Sequence, residues 1–83
     1  MNAKYIICEV EGKGIIPVIF FNDLHKNIYD GLCKVHTSLN VLSAGFVKFK
    51  DDTIEAYGES VSLGIGSIPT RDSLLLTKLI MKK

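Results

Sequence analysis

Eighty-three residues suffice for one small domain, residues 1–83, with a modest core and little stability to spare. A hydrophobic fraction of 47% excludes a disordered chain, and a formal net charge of +1 gives no electrostatic reason to expect nucleic acid or an acidic membrane as partner. The apolar run Ile15 to Phe21 is too short to span a bilayer and contains Pro17.

Lys4 to Val10 and Ile15 to Phe21 are β-branched and aromatic runs separated by Glu11-Gly12-Lys13-Gly14. A Gly12-Lys13 turn with Gly first suits a type II′ hairpin, which sets Val10 opposite Ile15, Cys8 opposite Pro17 and Ile6 opposite Ile19. Pro17 cannot donate to a ladder, so this strand is expected at an edge. The first strand is apolar on both faces, with Ile6, Cys8 and Val10 on one and Tyr5 and Ile7 on the other. A sheet covered by helices on one face shows more polar residues on the other. The surplus points to a second subunit.

Asn22 and Asp23 stop the strand and can cap a short helix through Val35. Leu24, Ile28, Leu32 and Val35 form its expected inward stripe, although Gly31 weakens it. Cys33-x-x-His36 is half of a zinc motif, but only Cys8 and His25 remain as obvious further ligands. It reads as a buried cysteine beside a surface histidine. His25 reads as a helix-start residue rather than a catalytic base, since spacing identifies no partner for it.

Thr37 to Asn40 is a connecting loop, and a third strand begins at Val41. With Asp51 and Asp52 as turn residues, Lys50 faces Thr53, Phe49 faces Ile54, Lys48 faces Glu55, Val47 faces Ala56 and Phe46 faces Tyr57. That register pairs opposite charges and two aromatics across the strands, each worth about 0.2–1 kcal/mol. It also places Val47, Phe49, Ile54 and Ala56 on one core-facing side.

After Tyr57 the text GESVSLGIGSIPT loses clear periodicity. Gly58-Glu59-Ser60-Val61-Ser62 resembles a nucleophile elbow but ends in Ser, and the large parallel sheet that gives the motif its meaning is missing. Gly64-Ile65-Gly66-Ser67-Ile68-Pro69 begins like a dinucleotide fingerprint, but Pro69 stands in place of the last glycine and no Walker lysine follows. What survives is a general anion-binding expectation. Ser60, Ser62, Ser67 and Thr70 supply hydroxyls, Gly64 and Gly66 allow close backbone approach, and Arg71 adds a bidentate fork at a helix start. The competing reading is a capped connector in which Glu59 and Asp72 neutralise Arg71.

The last helix starts at Ser67-x-Pro69 or at Thr70, with Asp72 in its first turn, and runs to Lys82. Leu75, Leu76, Leu79 and Ile80 form its main face, while Leu74 and Met81 lie nearly opposite. This second surplus of apolar surface strengthens the expectation of a homo-oligomer. Lys78, Lys82 and Lys83 complement the helix dipole, and no aromatics interleave them to suggest a nucleic-acid patch. Strand-like residues begin almost at once, with no secretory leader, so a soluble cytoplasmic protein with Cys8 and Cys33 reduced is expected. Neither zinc nor any other cofactor is expected.

The segments Lys4-Tyr5-Ile6-Ile7, Ile16-Pro17-Val18-Ile19-Phe20, Ser43-Ala44-Gly45-Phe46-Val47 and Tyr57-Gly58-Glu59-Ser60-Val61-Ser62-Leu63-Gly64 resemble small uncharacterised phage or prophage proteins. The resemblance runs along most of the chain and includes no catalytic motif. It implies expression in the cytoplasm of a bacterial host and action by binding a host factor, such as a defence component, or a small molecule. The fold expected is α+β, ordered β-β-α-β-β-α, with a mainly antiparallel sheet and helices on one face. The function expected is non-enzymatic, because no acid/base or nucleophile–base set can be assembled. The alternative is a binder of an anionic small molecule, such as a nucleotide signal, through residues 58–71.

Overall fold

A computed structural model describes residues 3–81. The chain is α+β: strands β1 (Ala3–Val10) and β2 (Gly14–Phe20), helix α1 (His25–Val35), strands β3 (Leu39–Phe49) and β4 (Ile54–Tyr57), short strands β5 (Glu59–Ser60) and β6 (Ile65–Gly66), and helix α2 (Pro69–Ile80). The main sheet is antiparallel in the order β2-β1-β3-β4, and β5 pairs with β6 in a separate two-stranded ribbon. The ribbon occupies the stretch that reads as aperiodic. Two residues per strand are too few to show alternation.

The β3–β4 register is the expected one, from Phe46 opposite Tyr57 to Phe49 opposite Ile54. The Lys50 amide closes the turn on the Thr53 carbonyl at 2.9 Å. Val47, Ile54 and Ala56 are buried, whereas Phe49, at the strand end, is 50% exposed. The first hairpin differs from expectation by one residue: Val10 lies opposite Gly14, Cys8 opposite Ile16 and Ile7 opposite Pro17. Both Gly12 (φ 81°) and Gly14 (φ 87°) adopt left-handed backbone, so the loop holds three residues instead of two. As Pro17 requires, β2 is an outer strand. Between β1 and β3, Ser43 faces Ile7 and Val41 faces Cys8, which leaves Leu42 as the extra residue of a bulge.

The helices lie on opposite faces of the sheet, not on one. Tyr5, Ile7, Val47, Ile54 and Ala56 pack with Leu76 and Leu75 of α2. Ile6, Cys8, Val10 and Ala44 pack with Ile28 and Leu32 of α1, and with Leu63 and Ile65 of the ribbon. Alternation along β1 sends Tyr5 and Ile7 one way and Ile6 and Cys8 the other. Its two apolar faces are therefore both covered from within the chain, and this surplus does not require a second subunit.

In α1 the inward stripe is centred differently from expectation. Ile28 and Leu32 pack inward, but Leu24 and Val35 are exposed and His25 is buried. Leu24 stands at the N-cap, outside the helix, and Val35 is the last helical residue. In α2, Leu76 is buried as expected, while Leu79 and Ile80 are only partly covered and Leu74 faces outward. Asp72 shares the buried stripe with Leu76, one turn away.

Candidate functional site

The residues expected to bind an anion are distributed around the ribbon and the start of α2, and most of their polar atoms are engaged within the fold. Ser60 is buried, and its Oγ accepts the Leu63 amide at 3.2 Å. The Ser62 hydroxyl accepts the Lys26 amide at 3.2 Å, capping from a distance an α1 helix that has no side-chain cap of its own. Ser67 Oγ donates to the Gly58 carbonyl at 2.6 Å. Gly64 (φ 68°) closes the ribbon turn onto Ser60, and Gly66 pairs with Glu59.

Arg71 is held by its neighbour. Its Nε and Nη2 each lie 3.1 Å from Asp72 Oδ1. Thr70 stands apart, lining a depression of about 660 Å³ between β4 and α2 with Lys48, Tyr57 and Ser73. Ser62 lines a different groove on the opposite face of the sheet. Ser62 and Thr70 are thus not brought together, and Arg71 meets a carboxylate, in keeping with the connector reading for Asp72.

The carboxylate of Asp72 is the centre of a buried polar group. Tyr5 donates to its Oδ2 from β1, and the Ile68 amide donates to the same oxygen at 2.9 Å. Burial pushes the Asp72 carboxyl upward, but donation from Ile68, Tyr5 and Arg71 outweighs this and holds it below the ordinary carboxylate range. Burial, together with Asp72, raises the Tyr5 phenol well above its usual value. Ser43 Oγ is buried without a hydrogen-bond partner among the described residues. Among the described residues, no cluster of His, Cys, Asp and Glu is arranged to hold a metal ion. Cys33 is exposed, contrary to expectation, while Cys8 is buried in the core.

The second site is the groove containing Ser62, a cavity of about 400 Å³ lined by Leu24, His25, Phe46 and Val61 among others. Phe46 alternates with Ala44 and so belongs to the α1 side of the sheet. Its neighbour Gly45 lets the chains converge here, since a Cβ at Gly45 would lie 2.5 Å from the Tyr57 carbonyl oxygen. His25 enters this pinch point edge-on between Phe20 and Phe46, with ring centroids 5.3 and 5.9 Å away. Its Nε2 lies 2.8 Å from the Gly45 carbonyl oxygen. A carbonyl accepts only, so Nε2 carries the proton.

Burial, reinforced by Lys4, depresses the His25 pKa against the opposing pull of the Gly45 carbonyl. In the neutral tautomer with Nε2 donating to Gly45, Nδ1 is the acceptor nitrogen of the ring. A sequence signal for this position exists: His25, Ile28, Tyr29 and Leu32 fall at i, i+3, i+4 and i+7, one helical face. Comparison with family models, curated proteins and solved structures finds no match.

Proposed function

We propose that the chain is a non-enzymatic binding protein that associates with itself and acts on a protein of a bacterial host. The observation that carries this reading is apolar surface left uncovered after both faces of the sheet have been filled from within. Leu74 is 69% exposed, Val61 85% and Leu24 55%. Single exposed apolar residues are ordinary, but Val61 and Leu24 share one groove with Phe46. The host as the source of the partner rests on the resemblance of the sequence to small phage and prophage proteins. Action in the cytoplasm follows from the same resemblance.

Strand addition is the less favoured way for such a chain to bind. The outer edge of β4 is occupied by α2, and β2 carries Pro17. Contact through side-chain surfaces remains. For self-association the outer side of α2 is the natural surface, because Leu74 points away from the buried Asp72 and Leu76. Light scattering over a wide concentration range tests it. The mass should rise above the 9.2 kDa of one chain, and Leu74→Glu should return it to that value. A constant 9.2 kDa for the unmodified chain at high concentration would remove self-association from the reading.

A further inference from the structure

The residue that anchors α1 to the sheet is one that can change its charge. Within α1 only His25 is buried, whereas Ile28, Tyr29 and Leu32 reach the core partly covered. Its ring, 3% exposed, is held on the Gly45 carbonyl and enclosed by Phe20 of β2 and Phe46 of β3. The first turn of the helix holds no acidic residue, so the positive end of its dipole meets the ring unopposed from within α1. Lys4 of β1 and Glu59 of β5 line the same groove. Asp23, ahead of the helix, is taken up by the Leu24 amide at 2.8 Å and the Asn27 amide group at 2.7 Å, and Lys26 pairs with Asp30. Among the described residues, no carboxylate forms an ion pair with the ring.

We propose that His25 is a pH-sensitive latch: a proton taken from solvent at Nδ1 releases α1 from the sheet while the α2 side of the fold stays intact. An imidazolium at this position would be shut away from water, without a paired carboxylate, beside Lys4 and at the positive end of a helix. Outside the enclosure it is hydrated at no such cost, so protonation favours the released helix. Burial and Lys4 act in the same direction on the ring's titration, against the Gly45 carbonyl. Release is local because the core of Tyr5, Ile7, Val47, Ile54, Ala56 and Leu76 contains no residue of α1. Gly31 further weakens the helix once it is detached. The bond from the Lys26 amide to Ser62 goes with it, and the apolar surface of Phe46, Leu24 and Val61 is uncovered. The latch stands independently of any partner the chain has.

The test is amide hydrogen exchange of the full chain by NMR from about pH 7 to about pH 4.5, a range above that in which Asp72 titrates. After correction for the intrinsic pH dependence of exchange, protection at Ile28, Tyr29 and Leu32 should be lower than in β1 and β3 throughout. It should fall by up to about tenfold per pH unit below 6.5, the ordinary value of the ring. His25→Gln keeps a donor for Gly45 but cannot titrate, and should hold the protection of α1 level across the range. His25→Phe, which fills the enclosure without the donor, should do the same and serves if the Gln variant folds poorly. Lys4→Met removes the neighbouring cation and should make the fall end at a higher pH. Equal protection of α1 and the sheet at every pH would show that the helix opens only with the whole fold, and would overturn the latch. A fall that persists in both His25 variants would assign it to another group. Level protection in the unmodified chain would show that Phe20 and Phe46 accommodate the cation, and would overturn it too.

Discussion

Tyr5 and Asp72 join the first strand to the last helix through a hydrogen bond of 2.5 Å between groups 67 residues apart, both fully buried. Asp72 also turns back to the Ile68 amide, so one carboxylate both ties down the start of α2 and docks the helix on the sheet. Arg71, partly exposed, is the cation that lets this charge stay buried. The arginine that looks like a ligand-binding group in the sequence is placed as a counter-ion.

Removing either partner should cost more than an ordinary surface change. Tyr5→Phe leaves Asp72 with its other donors and should destabilise the fold by about 1–2 kcal/mol. Asp72→Ala strips partners from Tyr5, Ile68 and Arg71 together and should cost about 3 kcal/mol or more. Arg71→Ala should fall near 1 kcal/mol, since solvent can replace part of what the exposed guanidinium supplies. Urea unfolding of the three variants gives the order, and Arg71→Ala costing more than Asp72→Ala would contradict this account.

Four buried groups shape the pH dependence: His25, Asp72, Tyr5 and, on the alkaline side, Cys8, whose thiol pKa burial raises from 9.0. His25 titrates lower in the folded chain than its ordinary 6.5, so acidification below that value protonates the unfolded chain first and stability falls. Asp72, held below 3.8, stabilises the fold above that pH, and its contribution disappears as pH drops through the folded value. Tyr5 acts in the opposite sense, because its pKa is raised from 10.0: its contribution is intact below pH 10.0 and declines above it. Each group can contribute a slope of at most about 1.4 kcal/mol per pH unit within its window. Unfolding midpoints measured across pH should therefore decline on both sides, and Tyr5→Phe should flatten the alkaline limb and also soften the acid limb, because Asp72 loses one of its donors.

Legibility in the sequence followed the range of the interactions. The β3–β4 register is readable because turn and paired residues lie within a dozen positions, with Lys48 against Glu55 and Phe46 against Tyr57 agreeing on one alignment. The first hairpin is misread by one residue because Gly14, in addition to Gly12, takes a positive φ. The two-sided apolar pattern of β1 is plain, but it does not say whether the second cover comes from α1 or from another molecule. Asp72 looks like a solvent-facing helix-start residue because its partner Tyr5 is distant in sequence. His25 is likewise defined by Gly45, 20 residues away, and Ser62 by the Lys26 amide, 36 residues away.

The cysteines should differ sharply in reactivity. Cys8 is buried and burial raises its thiol pKa, whereas Cys33 lies on the exposed side of α1. A thiol reagent should modify Cys33 rapidly in the folded chain and reach Cys8 only when the fold opens. Thiol counting should give one fast group in native buffer and two in denaturant, and elemental analysis should find no zinc. Equal rates for both thiols in native buffer would contradict the burial of Cys8.

The clearest test of how α2 is held is at the outer edge of the sheet. The bond from the Lys50 amide to Thr53 makes the next pair, Phe49 with Ile54, non-hydrogen-bonded, and likewise Val47 with Ala56. The Ile54 and Ala56 amides therefore face away from β3. Each meets a hydroxyl of α2 at 2.9 Å, Ile54 on Thr77 and Ala56 on Ser73. Two side chains one helical turn apart match two amides two residues apart, and the edge that would otherwise pair with another strand is closed. Thr77→Val keeps the shape but removes the acceptor, and should cost about 1–2 kcal/mol, as should Ser73→Ala. Hydrogen exchange should accelerate selectively, at Ile54 for the first variant and Ala56 for the second. The double variant, with the edge of β4 exposed, should also gain concentration-dependent association that Leu74→Glu does not reverse. Unchanged exchange at Ile54 in Thr77→Val would show that packing by Leu76, rather than the hydroxyls, keeps this edge closed.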